Sequence, residues 1–164
     1  MVRDGRLAEL ETLYTSKGDR FLRICLAILA DEELARDAVQ EGFANAVRAR
    51  KDFRGDGPLE GWVWRMVVNA ALKLRARRLE LFEPEPNDRR PAQVEAAPDE
   101  RVRAAVATLP ERQRLALFLR YYADLGYEAI AAALGVRTGT VSATLHAARE
   151  TLKRALEEVP HGPA

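Results

Sequence analysis

The sequence predicts an all-α protein made of two small helical domains, an N-terminal helical bundle and a C-terminal helix-turn-helix. Apolar residues recur at three- and four-residue steps in both halves of the chain, which is the spacing of helices, and no segment alternates as a half-buried strand does. Between the halves, residues 80–100 contain four prolines and 7 acidic against 2 basic residues. That composition is typical of a flexible linker. We therefore predict domains over residues 1–79 and 101–164, with an acidic, proline-rich linker over 80–100.

Composition and charge exclude several classes of protein. Hydrophobic residues make up 48% of the 164 residues, enough for a folded core, and no apolar run reaches the roughly 20 residues of a membrane span. The N-terminus lacks the apolar segment of a signal peptide, which predicts a cytoplasmic protein without membrane insertion. A single cysteine, Cys25, with only His146 and His161 offers no zinc set, and no nucleophile–base pattern is present. We expect no catalytic residues, no metal and no cofactor.

The first domain begins with a long amphipathic helix, or two abutting helices around Gly18. Asp31 is a plausible N-cap for the next helix, because its carboxylate can accept a hydrogen bond from a free backbone N–H of the first turn. The polar side of that helix has two carboxylates one turn apart, which repel each other unless a cation meets them. Its polar residues are Asp37, Gln40, Glu41, Asn45 and Arg48. This side is either an ordinary solvated face or a docking site for a basic partner helix.

Residues 53–78 combine a glycine- and proline-containing loop with a helix that becomes strongly basic. Cationic side chains bind phosphates, aromatic rings stack on bases, and an amide can form hydrogen bonds with a base edge. Residues 53–78 therefore have the residue types of a protein segment that binds single-stranded nucleic acid. The loop supplies Phe53 and Arg54, and the helix supplies Arg65, Asn69, Lys73, Arg77 and Arg78. The alternative is a packed amphipathic helix with a solvated basic end. Considered alone, residues 53–78 favour this alternative.

The second domain contains the steric pattern of a helix-turn-helix. Ala131 permits a close helix crossing, Gly135 permits a left-handed turn, and Val141 packs back against the first helix. A plain αα-hairpin could share this pattern. The second helix should begin near Thr138 and place its N-terminal part in a major groove. Its candidate DNA-binding residues are Arg137, Thr138, Thr140, Ser142, Thr144, His146 and Arg149.

Together these segments resemble the extracytoplasmic-function group of bacterial RNA polymerase sigma factors, over about residues 10–156. The resemblance depends on DAVQEGF (37–43), FRGDGPLEGWVWRMVVN (53–69), LPERQR (109–114) and GTV (139–141), in that order. It implies a transcription initiation factor that binds core RNA polymerase, through the β′ clamp helices and the β subunit, and promoter DNA. It also implies an anti-sigma factor as a regulatory partner.

The resemblance assigns roles to the residues named above. It implies that Asp37, Gln40, Glu41 and Asn45 dock on the polymerase and that Phe53 and Asn69 capture a flipped base of the −10 promoter element. Arg54, Arg65, Lys73, Arg77 and Arg78 would contact the −10 DNA, and the helix-turn-helix would read the −35 element. Trp62 matches a family tryptophan that belongs to the core rather than to the DNA surface. The competing interpretation is a stand-alone helix-turn-helix regulator with a helical sensing or dimerisation domain.

The chain departs from the family after the GTV segment. Basic residues are usual there, whereas this chain has Ser142-Ala-Thr-Leu-His-Ala147. Because each phosphate contact adds to the salt-dependent part of DNA binding, fewer cations mean weaker binding to duplex DNA. We expect a weak or altered preference for a −35 element.

Overall fold

The computed structural model describes residues 4–81 and 100–157, which form seven helices and contain no strand. In chain order these are α1 Gly5–Leu29, α2 Glu32–Arg48, α3 Leu59–Leu81, α4 Glu100–Thr108, α5 Glu111–Tyr121, α6 Tyr127–Leu134 and α7 Thr138–Glu157. The all-α prediction is confirmed. Helix α3 extends two residues beyond the predicted end of the first domain, and the rest of the predicted linker, 82–99, lies outside the described residues.

Side-chain caps define where the first two helices begin. Asp4 precedes α1 and accepts a hydrogen bond from the backbone N–H of Arg6 at 3.2 Å. Asp31 precedes α2, and its Oδ1 accepts from the N–H of Leu34 at 2.9 Å, as predicted for an N-cap. Helix α1 runs through Gly18 without a break, so the first segment is one helix rather than two.

The core of the first domain is an aromatic cluster between α1, α2 and α3. Trp64 is fully buried and stacks on Phe21, with ring centres 3.8 Å apart, while Phe43 meets Phe21 edge to face at 4.9 Å. Cys25 lies in the same core, where burial raises the pKa of its thiol to about 12. The interpretation of Cys25 as a small buried hydrophobe is confirmed.

The second domain has the geometry of a helix-turn-helix. Gly135 ends α6 in the left-handed region, with a φ of 66°. The backbone N–H of the next residue, Val136, donates a hydrogen bond to the Ala131 carbonyl at 3.0 Å, which closes the end of α6. Val141 is fully buried, and α7 packs on α6 and α5. Helix α7 begins at Thr138, the residue predicted from the sequence.

The two domains pack directly on each other, a contact that the sequence interpretation of two tethered units did not include. Helix α3 crosses α6 so closely that a Cβ on Gly61 would lie 2.7 Å from the Cα and carbonyl oxygen of Ala129. Arg20 of α1 also donates to the Ala123 carbonyl at 3.3 Å. As a result, the buried apolar residues of both domains form one continuous cluster. Within residues 4–81 and 100–157, no helix is both long enough and apolar enough to cross a bilayer.

Candidate functional site

The exposed side of α2 carries the predicted acidic face. Its opposite side is buried against α1 and α3 through small and apolar residues, so Asp37, Gln40 and Glu41 project into solvent. Asn45 is half-buried, and its side-chain oxygen accepts a hydrogen bond from Arg48. The structure thus brings the four predicted polymerase-binding residues to one side of a single helix.

Two carboxylates on this face have no ion-pair partner within residues 4–81 and 100–157. In the part of the chain that the structure describes, neither Asp37 nor Glu41 pairs with a cation, whereas Glu32 at the start of the same helix pairs with Arg36 at 2.5 Å. Two carboxylates one turn apart destabilise a helix by a few tenths of a kcal/mol (about 0.2–0.5). A cationic partner surface would remove that repulsion.

A polar stripe runs along the exposed side of α3. Its members are spaced by four residues, which places successive side chains about 40° apart around a helix, and all of them are exposed. They are Arg65, Asn69, Lys73 and Arg77. The opposite side of α3 is buried through Val63, Trp64, Val67 and Val68. The stripe therefore combines one amide with three cations on a continuous surface.

Three basic residues of α3 have partners within the protein. The guanidinium of Arg65 lies against the turn of the helix-turn-helix, 3.5 Å from the position of a Cβ on Gly135. Arg75 forms an ion pair with Glu111 of the second domain. Arg78 donates to the Leu29 carbonyl at 3.2 Å and so binds the C-terminal end of α1. Arg75 consequently links α3 to the second domain, and Arg65 lies at the same domain contact. Lys73 and Arg77 are exposed on the stripe.

The loop before α3 holds Phe53 between two side chains. Trp62 contacts one side of the ring, with centres 5.3 Å apart, and the guanidinium of Arg6 lies 4.7 Å from the ring centre. Trp62 is itself half-buried and packed on the core, in keeping with the expectation that it is not a DNA-facing residue. Arg54 follows in the loop and is exposed.

Arg6 is a displaceable cover for Phe53. An exposed cation–π contact contributes about 0.5–1 kcal/mol, and a surface ion pair such as that between Arg6 and Glu9 contributes about 0–1 kcal/mol. Stacking of a nucleic-acid base on an aromatic side chain contributes about 1–3 kcal/mol. A base can therefore replace Arg6 on the Phe53 ring at little net cost.

A cleft of about 380 Å³ opens beside Phe53. It is lined by Asp4, Gly5, Arg6, Glu9, Arg50, Lys51 and Phe53. Asn69 does not belong to this lining. The sequence interpretation missed Arg6, Arg50 and Lys51, although the basic pair Arg50-Lys51, one residue away from Phe53, was a usable signal.

Arg50 organises that cleft. Its Nε donates to Asp4 Oδ2 at 2.7 Å and its Nη1 donates to the Val47 carbonyl at 2.7 Å, which ties the start of α1 to the end of α2. The hydrogen bond from Arg50 holds the pKa of the Asp4 carboxyl below its usual value. Asp4 thus stays ionised and paired across the physiological range.

On α7 the predicted DNA-binding residues do not form a single face. At 100° per residue, Thr138, Ser142, His146 and Arg149 fall within about 80° of one another, whereas Thr140 and Thr144 lie on a different side of the helix. All are exposed except Thr144, which is half-buried, and Arg137 is exposed directly before the helix. Arg149 donates from Nε to the hydroxyl of Tyr121 at 3.1 Å, so this cation is partly engaged by α5.

Adding cations to this face should strengthen duplex binding. For the double variant Ser142→Arg/His146→Arg, the slope of log affinity against log salt should become steeper by about 1.8, because each new phosphate contact adds about 0.9. Fluorescence anisotropy of the full chain with labelled duplex DNA measures the slope. The control Thr12→Arg/Ser16→Arg adds two arginines on exposed positions of α1. Equal slopes for both variants would show that α7 does not face duplex DNA.

Both domains match models of known protein families. Residues 13–80 match the domain model described as Sigma-70 region 2, and residues 99–152 match Sigma-70, region 4. The RNA polymerase sigma-H factor of Pseudomonas aeruginosa is 29% identical over an alignment of 177 positions, gaps included. The alignment covers 95% of this chain and 90% of that protein. The ECF RNA polymerase sigma-E factor of Escherichia coli strain K12 is 33% identical over 134 residues, covering 71% of this chain and 70% of that protein.

A solved structure has a similar fold. It is the co-crystal structure of the sigma factor RpoE with the anti-sigma factor NepR from Bartonella quintana, with a TM-score of 0.64 and 24% identity. The match covers 96% of this chain and 99% of that one. Since it spans nearly all of both chains, it supports the two-domain helical fold as a whole.

Proposed function

Because this chain belongs to the extracytoplasmic-function (ECF) group of RNA polymerase sigma factors, we propose that α2 docks on core polymerase, α3 binds the −10 promoter element and α7 binds the −35 element. As a member of that group, the protein is a transcription initiation factor that binds core RNA polymerase and promoter DNA. A stand-alone helix-turn-helix regulator is not favoured, since residues 13–80 match a sigma domain rather than a sensing or dimerisation module.

The observation that carries the proposal is the arrangement of two surfaces on one small domain. The exposed acidic face of α2 carries two carboxylates, Asp37 and Glu41, that pair with no cation among the described residues. The neighbouring helix α3 presents Asn69, Lys73 and Arg77 in a polar stripe. Acids suit the basic clamp helices of the β′ subunit, and the stripe suits DNA. A protein with both surfaces can hold polymerase and promoter at the same time.

Base recognition at the −10 element is assigned to Phe53 and Asn69. Extruding a base from the duplex costs a few kcal/mol (about 2–4) of lost stacking, which stacking on Phe53 and hydrogen bonds to the Asn69 amide would offset. Lys73, Arg77 and the exposed Arg54 would hold phosphates and so add affinity without reading sequence.

Run-off transcription tests the function as a whole. Core polymerase, the purified protein and fragmented genomic DNA should give discrete transcripts that depend on the protein. Failure to initiate at any promoter, with a known sigma factor active on the same core enzyme, would contradict the proposal.

Phe53→Ala and Asn69→Ala should each lower initiation from such a promoter by about tenfold, the equivalent of about 1.4 kcal/mol of lost base contact. Polymerase binding should stay unchanged, because both residues lie outside the acidic face of α2. Ser16→Ala on the exposed side of α1 is the control and should transcribe at the wild-type rate. Wild-type initiation by both Phe53→Ala and Asn69→Ala would remove these residues from the site.

The proposal also includes a regulatory partner and a place of action. An anti-sigma factor is the proposed regulatory partner, supported by the similar fold that was solved together with one. The proposed place of action is the cytoplasm, where polymerase and promoters are found, and the proposed role involves no catalytic chemistry by this chain. Co-purification of the protein from its own cells would identify the regulatory partner.

A further inference from the structure

The cleft beside Phe53 is lined by residues of which the roles proposed above use only Phe53. Three cationic side chains, Arg6, Arg50 and Lys51, line the cleft together with Phe53. The two acids of the lining, Glu9 and Asp4, pair with Arg6 and Arg50, which leaves the cleft with one net positive charge. The cleft has a volume of about 380 Å³ and is open to solvent, so a nucleotide of a longer strand can enter it. A cationic cleft with one aromatic wall matches a nucleotide, whose phosphate is anionic and whose base presents an apolar face.

We propose that this cleft holds one nucleotide of single-stranded promoter DNA, whose base stacks on Phe53 in place of Arg6 and whose phosphate is bound by Arg6, Arg50 and Lys51. This proposal rests on the proposed binding of the −10 element and adds residues of α1 and of the 50–53 segment to that site. Its basis is the placement of Arg6, whose guanidinium covers the ring face that a base needs.

Arg6 is able to make that exchange. Its side chain is 34% exposed, and its ionic partner is Glu9, one turn further along α1 at 3.5 Å. Neither contact encloses the guanidinium, so rotation about the side-chain bonds can move it from the ring to the edge of the cleft. There it meets the phosphate of the strand whose base has taken its place. The same side chain thus protects Phe53 before binding and holds the backbone afterwards.

Arg50 and Lys51 supply the fixed part of the phosphate site. The two hydrogen bonds of Arg50, to Asp4 and to the Val47 carbonyl, set the position of its guanidinium before any DNA arrives. Lys51 is exposed and lies near enough to Asp4 to lower the pKa of that carboxyl. A charge held in place by the fold loses less side-chain freedom on binding than a free one.

Salt-dependent binding of single-stranded DNA to the full chain tests the proposal. The probe is a fluorescein-labelled DNA octamer of randomised sequence, followed by anisotropy at several salt concentrations. Arg6→Gln, Arg50→Gln and Lys51→Gln should each make the slope of log affinity against log salt shallower by about 0.7, a loss of about fivefold in affinity at 0.1 M salt. Arg6→Lys should restore the slope. Arg36→Gln, a charge-matched change on α2, should leave it unchanged.

A second probe separates base from phosphate. An abasic octamer has the same phosphates without bases, so Phe53→Ala should weaken the ordinary octamer and leave the abasic one unaffected. Wild-type slopes for Arg6→Gln, Arg50→Gln and Lys51→Gln, with weakened binding by Phe53→Ala and Asn69→Ala, would overturn the cleft and leave the −10 proposal standing. Wild-type binding by all five variants would overturn both. Lys51 is exposed, so its variant tests the site even if Arg50→Gln disturbs the fold.

Discussion

Replacing Asp37 and Glu41 together by lysine is expected to abolish binding of this protein to core RNA polymerase. Both carboxylates are exposed on α2, and within the described residues neither has an ion-pair partner, so reversal leaves the domain folded. At the interface, however, two attractions to a basic surface become two repulsions, and like charges placed together cost several kcal/mol, about 3–5. Because about 1.4 kcal/mol is tenfold, affinity should fall by more than about a hundredfold.

Surface plasmon resonance with immobilised core enzyme measures that loss. The matched control is Glu11→Lys/Asp19→Lys, which makes the same change of net charge on exposed positions of α1. The control should bind within about twofold of the wild type at 0.15 M salt, where distant charges are screened beyond about 8 Å. Equal weakening by both double variants would mean that net charge, rather than this face, controls docking.

Gly61→Leu is expected to separate the two domains. The three nearest atoms to a Cβ at this position all belong to α6, and two of them are backbone atoms of Ala129, which cannot move aside. A leucine there is incompatible with the crossing, and overpacking of this kind costs about 1–3 kcal/mol. The first domain should keep its fold, because the buried side of α3 that packs on α1 and α2 is unchanged.

Small-angle X-ray scattering detects the separation. A compact chain of this length has a radius of gyration of about 15 Å, and the Gly61→Leu variant should exceed that by several ångströms, about 3–6 Å. Gly18→Leu is the matched control, since a Cβ at Gly18 meets no atom within 4 Å and replacing glycine inside a helix stabilises it by about 1 kcal/mol. An unchanged radius in Gly61→Leu would show that the contact between α3 and α6 does not hold the domains together.

Local chemistry explains what could be predicted from the sequence. The N-cap at Asp31, the left-handed turn at Gly135 and the start of α7 at Thr138 each depend on a few neighbouring residues. The exposure of Asp37 and Glu41 follows from helical spacing against the apolar side of α2. Such features are set by positions three or four residues apart, and a single sequence displays them directly.

Contacts distant in sequence were not predictable in the same way. The cover of Arg6 on Phe53, the bond between Arg50 and Asp4, and the use of Arg65 at the domain contact each join segments more than forty residues apart. No spacing rule links such residues. One signal was available for the contact itself, since an isolated glycine such as Gly61 inside a helical pattern usually has a packing reason, and 131–133 are three alanines in a row.

The close crossing of α3 on α6 also limits how the molecule can reach a promoter. Elements centred near −10 and −35 are about 25 base pairs apart, or about 85 Å along the helix axis at about 3.4 Å per pair. If α3 binds the −10 element and α7 the −35 element, as proposed, two domains of about 30 Å in contact place these helices at most about 60 Å apart. On that proposal the packed protein reaches one element but not both, and its apparent affinity for the full promoter is the intrinsic affinity multiplied by the fraction of molecules with separated domains. The distance between the two promoter elements would thus select the form of this protein in which the domains have separated.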